Sequence, residues 1–295
     1  MNIIEVHDLT KTYGDLTAVD HIRFTVEQGT MLGFLGINGA GKSTAINMLS
    51  TLLTPNAGTA TICGCALGRQ DEQIRRKIGI VYQHNVLDDL LTVKENLLCR
   101  GILHGATRSE AQAQMERLSH MLKLGDILRK RYKLLSGGQK RRCEIAAALM
   151  HTPEILFLDE PTTGLDPATR KDVWQIIEML RRDENMTVFL TTHYMEEAAA
   201  ADKIIILDHG KIITSGTPFQ LKERYVKDKL RLYGNPDNLR LDGRTTPYGM
   251  ELTLDSTMDA IPILEQVHSH IQGFEVIQGN MDDVFLNAVG KALED

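Results

Sequence analysis

The run GINGAGKST, Gly36 to Thr44, has the spacing of a loop that wraps phosphate groups: G-x-x-x-x-G-K-[ST], matched by Gly36, Gly41, Lys42 and Ser43. Glycines let the backbone bend until successive N–H groups point inward as an anion nest, and the helix that must follow adds its positive end. Asn38, Gly39, Ala40 and Thr44 supply the rest of that cradle. Lys42 offers a point charge to the outer phosphates, and the Ser43 hydroxyl is a ligand for Mg²⁺. Farther on, ILFLDE sets two carboxylates, Asp159 and Glu160, at the end of an apolar run. Hydrolysis has use for both, because a carboxylate occupied by a divalent ion is a poor proton acceptor. LSGGQ (135–139) puts Ser136 where a helix needs its N-cap, so the N–H groups of Gly137 and Gly138 face outward from a positive helix end, next to Gln139.

Four further residues have ordinary readings when taken singly. His193 follows the TVFLTT run, and a histidine at a strand end is more often structural than catalytic. Gln83 follows KIGIVY, Asp166 stands in a turn ahead of Pro167, and Tyr13 precedes Gly14 where a tyrosine can simply pack a turn.

These groups need elements to hold them. MLGFLG (31–36) is an apolar strand running into the glycine loop, and Lys42 to Leu53 has helical spacing that stops before Pro55. Strand signals at 3–6 and 22–26 flank a turn at 13–15. From Val93 to about Arg131 the pattern is helical, and Lys140 to Met150 reads as the helix that Ser136 opens. Continuous apolar runs at 155–158, 187–191 and 204–207 suit parallel strands covered on both faces by helices. After Gly216-Thr217-Pro218 the composition shifts. Helix (219–225), strand (229–233), strand (250–254), helix (260–271), strand (274–278) and a last helix from about Met281 follow. The expected fold is α/β: a core with a mostly parallel sheet and a helical insert at about 84–150, filling residues 1–216. A small α+β C-terminal domain takes 217–295.

In this order, GINGAGKST, Gln83, LSGGQ, ILFLDE and His193 resemble the ATP-binding cassette (ABC) ATPase family, over roughly residues 1–216. Many unrelated NTPases own a phosphate loop, whereas LSGGQ makes sense only when a second ATPase unit brings it to the first. The resemblance implies a P-loop NTPase core that binds ATP and Mg²⁺. It implies that Asp159 orients Mg²⁺ or its waters, with Ser43 and Gln83 as further ligands, and that Glu160 polarises the attacking water. His193 would contact the γ-phosphate and steady that water, while Tyr13 would lay its ring against adenine. Ser136, Gly137, Gly138 and Gln139 would meet the γ-phosphate held by the other subunit, and Asp166 would lie in the loop that crosses between subunits. Gly164 stands where many members carry Ala. With every position filled, two copies in head-to-tail symmetry would enclose two competent sites, so a homodimer is expected.

Bulk properties narrow the role. The net charge is −6 and the pI near 5.9, against the basic excess expected of a nucleic-acid binder. Clusters at Arg75-Arg76-Lys77, Arg129-Lys130-Arg131 and Lys140-Arg141-Arg142 read as solvated or phosphate-steering faces. No apolar run reaches the ~18–20 residues needed to cross a bilayer, and no secretory signal is visible. A soluble, cytoplasmic protein is expected, peripheral on the membrane through a permease on a separate chain. Cys63 and Cys65 match no usual zinc or redox spacing.

MDDVFLNAVG (281–290) resembles the E-D-V-F-L ending of drug-resistance, sodium-export and lipid-export ATPase subunits, with Asp282 in place of Glu; on bare physics it is equally an amphipathic terminal helix. The segment His84 to Asn96 lies where transporters of the family receive a short helix of the membrane subunit. The expected function is the ATP-hydrolysing subunit of an exporter. A soluble, non-transport ABC ATPase is the alternative, though neither the long heptad insert of DNA-repair members nor a second cassette is present.

Overall fold

Strands made of unbroken apolar runs must be covered on both faces, and the central sheet obeys this. All residues of β3 (Met31–Leu35), β7 (Ile155–Asp159) and β8 (Thr187–Thr192) are buried. The computed structural model describes residues 1–235 and 241–292. By internal contacts the chain forms two units, Met1–Tyr194 with Ala201–Thr214, and Met195–Ala200 with Ser215–Asp295.

In the first unit, β1 (Asn2–Tyr13) and β2 (Leu16–Glu27) form a long hairpin. With β4 (Ala57–Ile62) and β5 (Cys65–Ala66) they make an antiparallel sheet in the order β2-β1-β4-β5. The central sheet adds β6 (Ile78–Val81), β9 (Lys203–Asp208) and β10 (Lys211–Gly216) in the order β10-β9-β3-β8-β7-β6. The pairs β9–β3, β3–β8, β8–β7 and β7–β6 are all parallel. Phe34, Phe157 and Phe189 come from three adjacent strands with ring centroids 5.3 Å apart in sequence, and Phe24 of β2 closes on Phe34 at 5.7 Å. Each such ring contributes about 2–3 kcal/mol of burial, so this cluster fixes the strand ends that bear the candidate site.

Helices α1 (Lys42–Leu49), α2 (Asp71–Lys77) and α6 (Pro167–Glu184) accompany the sheets. Between β6 and β7 the chain is helical: α3 (Val93–Leu103), α4 (Arg108–Met121) and α5 (Gly137–Ala148). The first two open on capping boxes, Thr92 with Glu95 and Thr107 with Glu110. Several elements differ from the sequence expectation. Helix α1 stops at Leu49, because Thr51 turns left-handed (φ 66°) and leaves Leu52 56% exposed. Its apolar spacing therefore continued past the real end. Helix α5 starts at Gly137 and ends at Ala148 instead of spanning 140–150. The sequence signals at 3–6 and 22–26 were only the most apolar stretches of two 12-residue strands.

The second unit holds α7 (Met195–Ala198), α8 (Pro218–Tyr225), α9 (Ala260–Val267), α10 (Met281–Ala292) and an antiparallel sheet. That sheet runs β12 (Arg244–Thr246), β13 (Gly249–Leu254), β11 (Asp228–Tyr233), β14 (Gly273–Ile277). Leu230, Leu232, Met250, Leu252 and Leu254 pack on Ala260 and Val267. Met281, Val284, Phe285 and Ala288 of α10 are buried, the stripe that an amphipathic terminal helix requires. Among the described residues no helix is long and apolar enough to cross a membrane.

One half-buried histidine in the first unit has a pKa well below the ordinary imidazole value. His151 lies stacked on His104 at 3.9 Å with its Nε2 2.8 Å from the Ile78 carbonyl. Burial, and then the neighbouring His104, push its pKa down to about 4. The unfolded chain takes up a proton near 6.5 that the folded protein refuses until about 4. Stability is therefore expected to fall as pH drops through that interval. Denaturant melts at pH 7 and 5 check this, and the fall should be smaller in H151Q, which has no titrating ring.

Candidate active site

The phosphate-type loop joins β3 to α1 as its spacing requires. Gly41 is the N-cap of α1 with φ 101°, and a Cβ there would stand 2.3 Å from the Ala18 carbonyl oxygen. Only glycine fits that approach. The contact also sets the β1–β2 hairpin against the loop, and Tyr13 lies at the hairpin tip, 51% exposed with Lys11 Nζ 5.4 Å from its ring centre. Ala40 is buried, while Asn38, Gly39 and Ser43 are open to solvent.

Lys42 is 5% exposed. Its Nζ donates to the carbonyls of Gly36 (2.7 Å) and Ile37 (3.2 Å) and lies 3.5 Å from Glu160 Oε1. Burial lowers its pKa, and the Glu160 charge works against that shift. The ammonium is thus held inside the loop that would surround a phosphate.

The end of β7 brings the two carboxylates to this place. Asp159 Oδ1 accepts from Thr191 Oγ1 (2.6 Å) and from Ser43 Oγ (3.3 Å). Glu160 has a left-handed backbone (φ 46°), and its N–H donates to the carbonyl and hydroxyl oxygens of Thr191, both at 3.1 Å. Glu160 Oε2 accepts from Gln83 Nε2 (3.0 Å) and Thr163 Oγ1 (3.1 Å). His193 Nδ1 stands 3.1 Å from the same oxygen, off the alignment of a good hydrogen bond but close enough to pair once protonated. One carboxylate therefore gathers Lys42, Gln83 and His193, from three separate elements.

Ser43, Asp159 and Gln83 present hard oxygen donors, the kind Mg²⁺ prefers. With Nε2 engaged by Glu160, the Gln83 amide oxygen is left for such an ion. Among the described residues no cluster of three or more His, Cys, Asp or Glu forms a metal cage. A divalent ion here would take much of its coordination from phosphate oxygens and water, as is usual for Mg²⁺ with a nucleotide.

The remaining candidates assemble in a second place. Ser136 caps α5: its hydroxyl accepts from Gln139 N (3.3 Å) and its own N–H donates to Gln139 Oε1 (3.1 Å). Gln139 is thereby engaged in the capping box. Gly137 and Gly138 form the first turn, and a Cβ on Gly138 would meet Thr169 Cγ2 at 2.3 Å. Asp166 caps α6, accepting from Thr169 N (3.0 Å) and Thr169 Oγ1 (2.5 Å), and these bonds hold its carboxyl below the usual range.

Three participants were not read from the sequence. Thr191, in β8, and Thr163, in the turn after β7, lie beside the two carboxylates, and nothing in a threonine's type marks it in advance. Arg141 was grouped with a solvated basic face, and the structure corrects this: it is 5% exposed. Helix α5 is buried over most of its circumference, so a basic run on it necessarily sends one member inward.

A model of the ABC transporter family matches residues 19–163. The daunorubicin/doxorubicin resistance ATP-binding protein DrrA of Streptomyces peucetius is 37% identical, over 99% of this chain and 94% of its own. The Nod factor export ATP-binding protein I of Rhizobium etli is 35% identical, over 100% and 95%. Among solved structures, the ATP-binding cassette MJ0796, dimeric in a post-hydrolysis state with ADP and Pi, superposes with a TM-score of 0.65 at 30% identity, covering 72% of this chain and 98% of that one. With the two relatives matched over 99% and 100% of this chain, and the loop, carboxylates and capped helix all in place, the chain belongs to the ABC transporter family, as an ATP-binding subunit that hydrolyses ATP.

Proposed function

We propose that this subunit powers an exporter, working as a homodimer beneath an integral-membrane permease on a separate chain. The observation that carries the reading is the division of the site into two half-sites, one around Lys42 and Glu160 and one at the α5 tip. ATP would lie in the glycine loop of one protomer and be closed over by Ser136, Gly137, Gly138 and Gln139 of its twin. Since only the γ-phosphate touches both, ATP favours the closed pair and ADP releases it.

Within the site, the loop N–H groups and Lys42 hold the phosphates, and Tyr13 offers a face to the adenine. Ser43, Asp159 and Gln83 would hold Mg²⁺, which neutralises phosphate charge when bound. Glu160 accepts the proton of the attacking water. His193 steadies the same oxygen and the γ-phosphate, and Asp166 sits at the edge that faces the partner protomer. Residues 1–216 form the nucleotide-binding domain in this scheme, and 217–295 an accessory domain that adjusts closure.

A cleft lined by Leu52, Arg75, Tyr82, Val86 and Arg100, with Leu52 and Val86 exposed, supports placing the permease contact beside the segment 84–96. Export is supported by the drug-resistance and Nod factor export relatives and by the MDDVFL ending. Affinity purification from the native membrane should recover a polytopic protein in complex with this chain. Recovery with soluble partners only would defeat the transport reading.

A further inference from the structure

Helix α5 does more than present its glycines. One turn in, the buried Arg141 guanidinium reaches three backbone carbonyls: Nε donates to Pro161, Nη1 to Tyr82 (2.6 Å) and Nη2 to Glu160 (3.0 Å). Tyr82 immediately precedes Gln83, and Glu160 and Pro161 follow β7. Farther along the same helix, the buried Glu144 accepts Val86 N (2.9 Å), Leu87 N (3.2 Å) and the Tyr132 hydroxyl (2.7 Å) on one oxygen. Helix α5 thus grips the segment 82–87 at both ends.

A buried cation is costly unless its donors are met, and packing alone would be served by an apolar side chain. What a guanidinium uniquely offers is a rigid planar fork that donates in several directions at once. Its targets need holding. Glu160 keeps a left-handed backbone (φ 46°) that a glutamate adopts only where its surroundings impose it. Gln83 must meet Glu160 from a different strand end, at 3.0 Å.

We propose that Arg141 is a positioning residue for ATP hydrolysis: it pins the backbone at Gln83 and Glu160 together and ties both to the helix whose tip is Ser136–Gln139. Displacement of the 82–87 segment then shifts α5 and the Glu160 carboxylate as one. This rests on the roles given above to Glu160 and Gln83.

The test measures ATP turnover and nucleotide binding in R141K, R141Q, E160Q and R141Q/E160Q. Misplacing a catalytic group by about 1 Å costs on the order of 10²-fold, so kcat should fall by roughly that factor in R141K and R141Q. KM for ATP should stay within about twofold, since the phosphate loop is untouched. In the E160Q background R141Q should remove nothing further from the residual rate, because the group it positions is already gone. R141K keeps the buried charge, so it carries the test if R141Q fails to fold. Wild-type kcat in R141K, or a further loss added to E160Q, overturns this proposal alone. Full turnover in E160Q overturns the reading beneath it and the proposal with it.

Discussion

Glu160→Gln is expected to bind ATP with near-native affinity, lose hydrolysis by about 10²–10⁴-fold, and accumulate as a dimer in gel filtration with ATP and Mg²⁺. The size follows from removing a general base. The retained binding follows from the contacts: an amide oxygen still accepts from Gln83 and Thr163, so the side chain stays where it is. Loss of the carboxylate charge beside Lys42, 3.5 Å away, also leaves that cation freer to serve a phosphate. Turnover within tenfold of wild type, or a monomer with ATP present, would remove Glu160 from the centre of the chemistry.

Lys42→Ala should have the opposite signature. The ammonium is buried and its donors converge on the loop carbonyls, so no other cation can replace it. A charge-assisted bond to phosphate contributes about 1.5–3 kcal/mol, so ATP affinity should fall by roughly 10–10²-fold. The thermal shift produced by ATP at a fixed concentration should shrink accordingly. Titration with a fluorescent nucleotide checks it: affinity equal to wild type would mean that the glycine nest alone holds the phosphates. The pair of variants, at the two ends of one contact, separates binding from hydrolysis.

Much of this site was legible in the chain. Gly36 to Thr44 and Ile155 to Glu160 are local: the residues that act lie within a few positions of those that build the turn, so type and spacing suffice. Ser136 was legible for the same reason, since a cap acts three residues away. Arg141 and Thr191 were not, because their partners lie 20 and 32 positions away and are chosen by strand order. Helix α6 was passed over although Val173, Ile177 and Leu180 mark its buried stripe. The attention that TTGLDP draws as a turn conceals that Asp166 is also a helix cap. In the second unit β12 has three residues and no buried side chain, so no periodicity could announce it.

The crowding of Gly138 by Thr169 has an evolutionary corollary. The atom in the way is the threonine methyl, at 2.3 Å, while the hydroxyl of the same residue bonds Asp166. The two sites must consequently drift in step: alanine becomes admissible at 138 once serine occupies 169, which keeps the hydroxyl and vacates the space. Serine at 169 first leaves a tolerated intermediate, whereas alanine at 138 first leaves a clashing one, so the path between them has a direction.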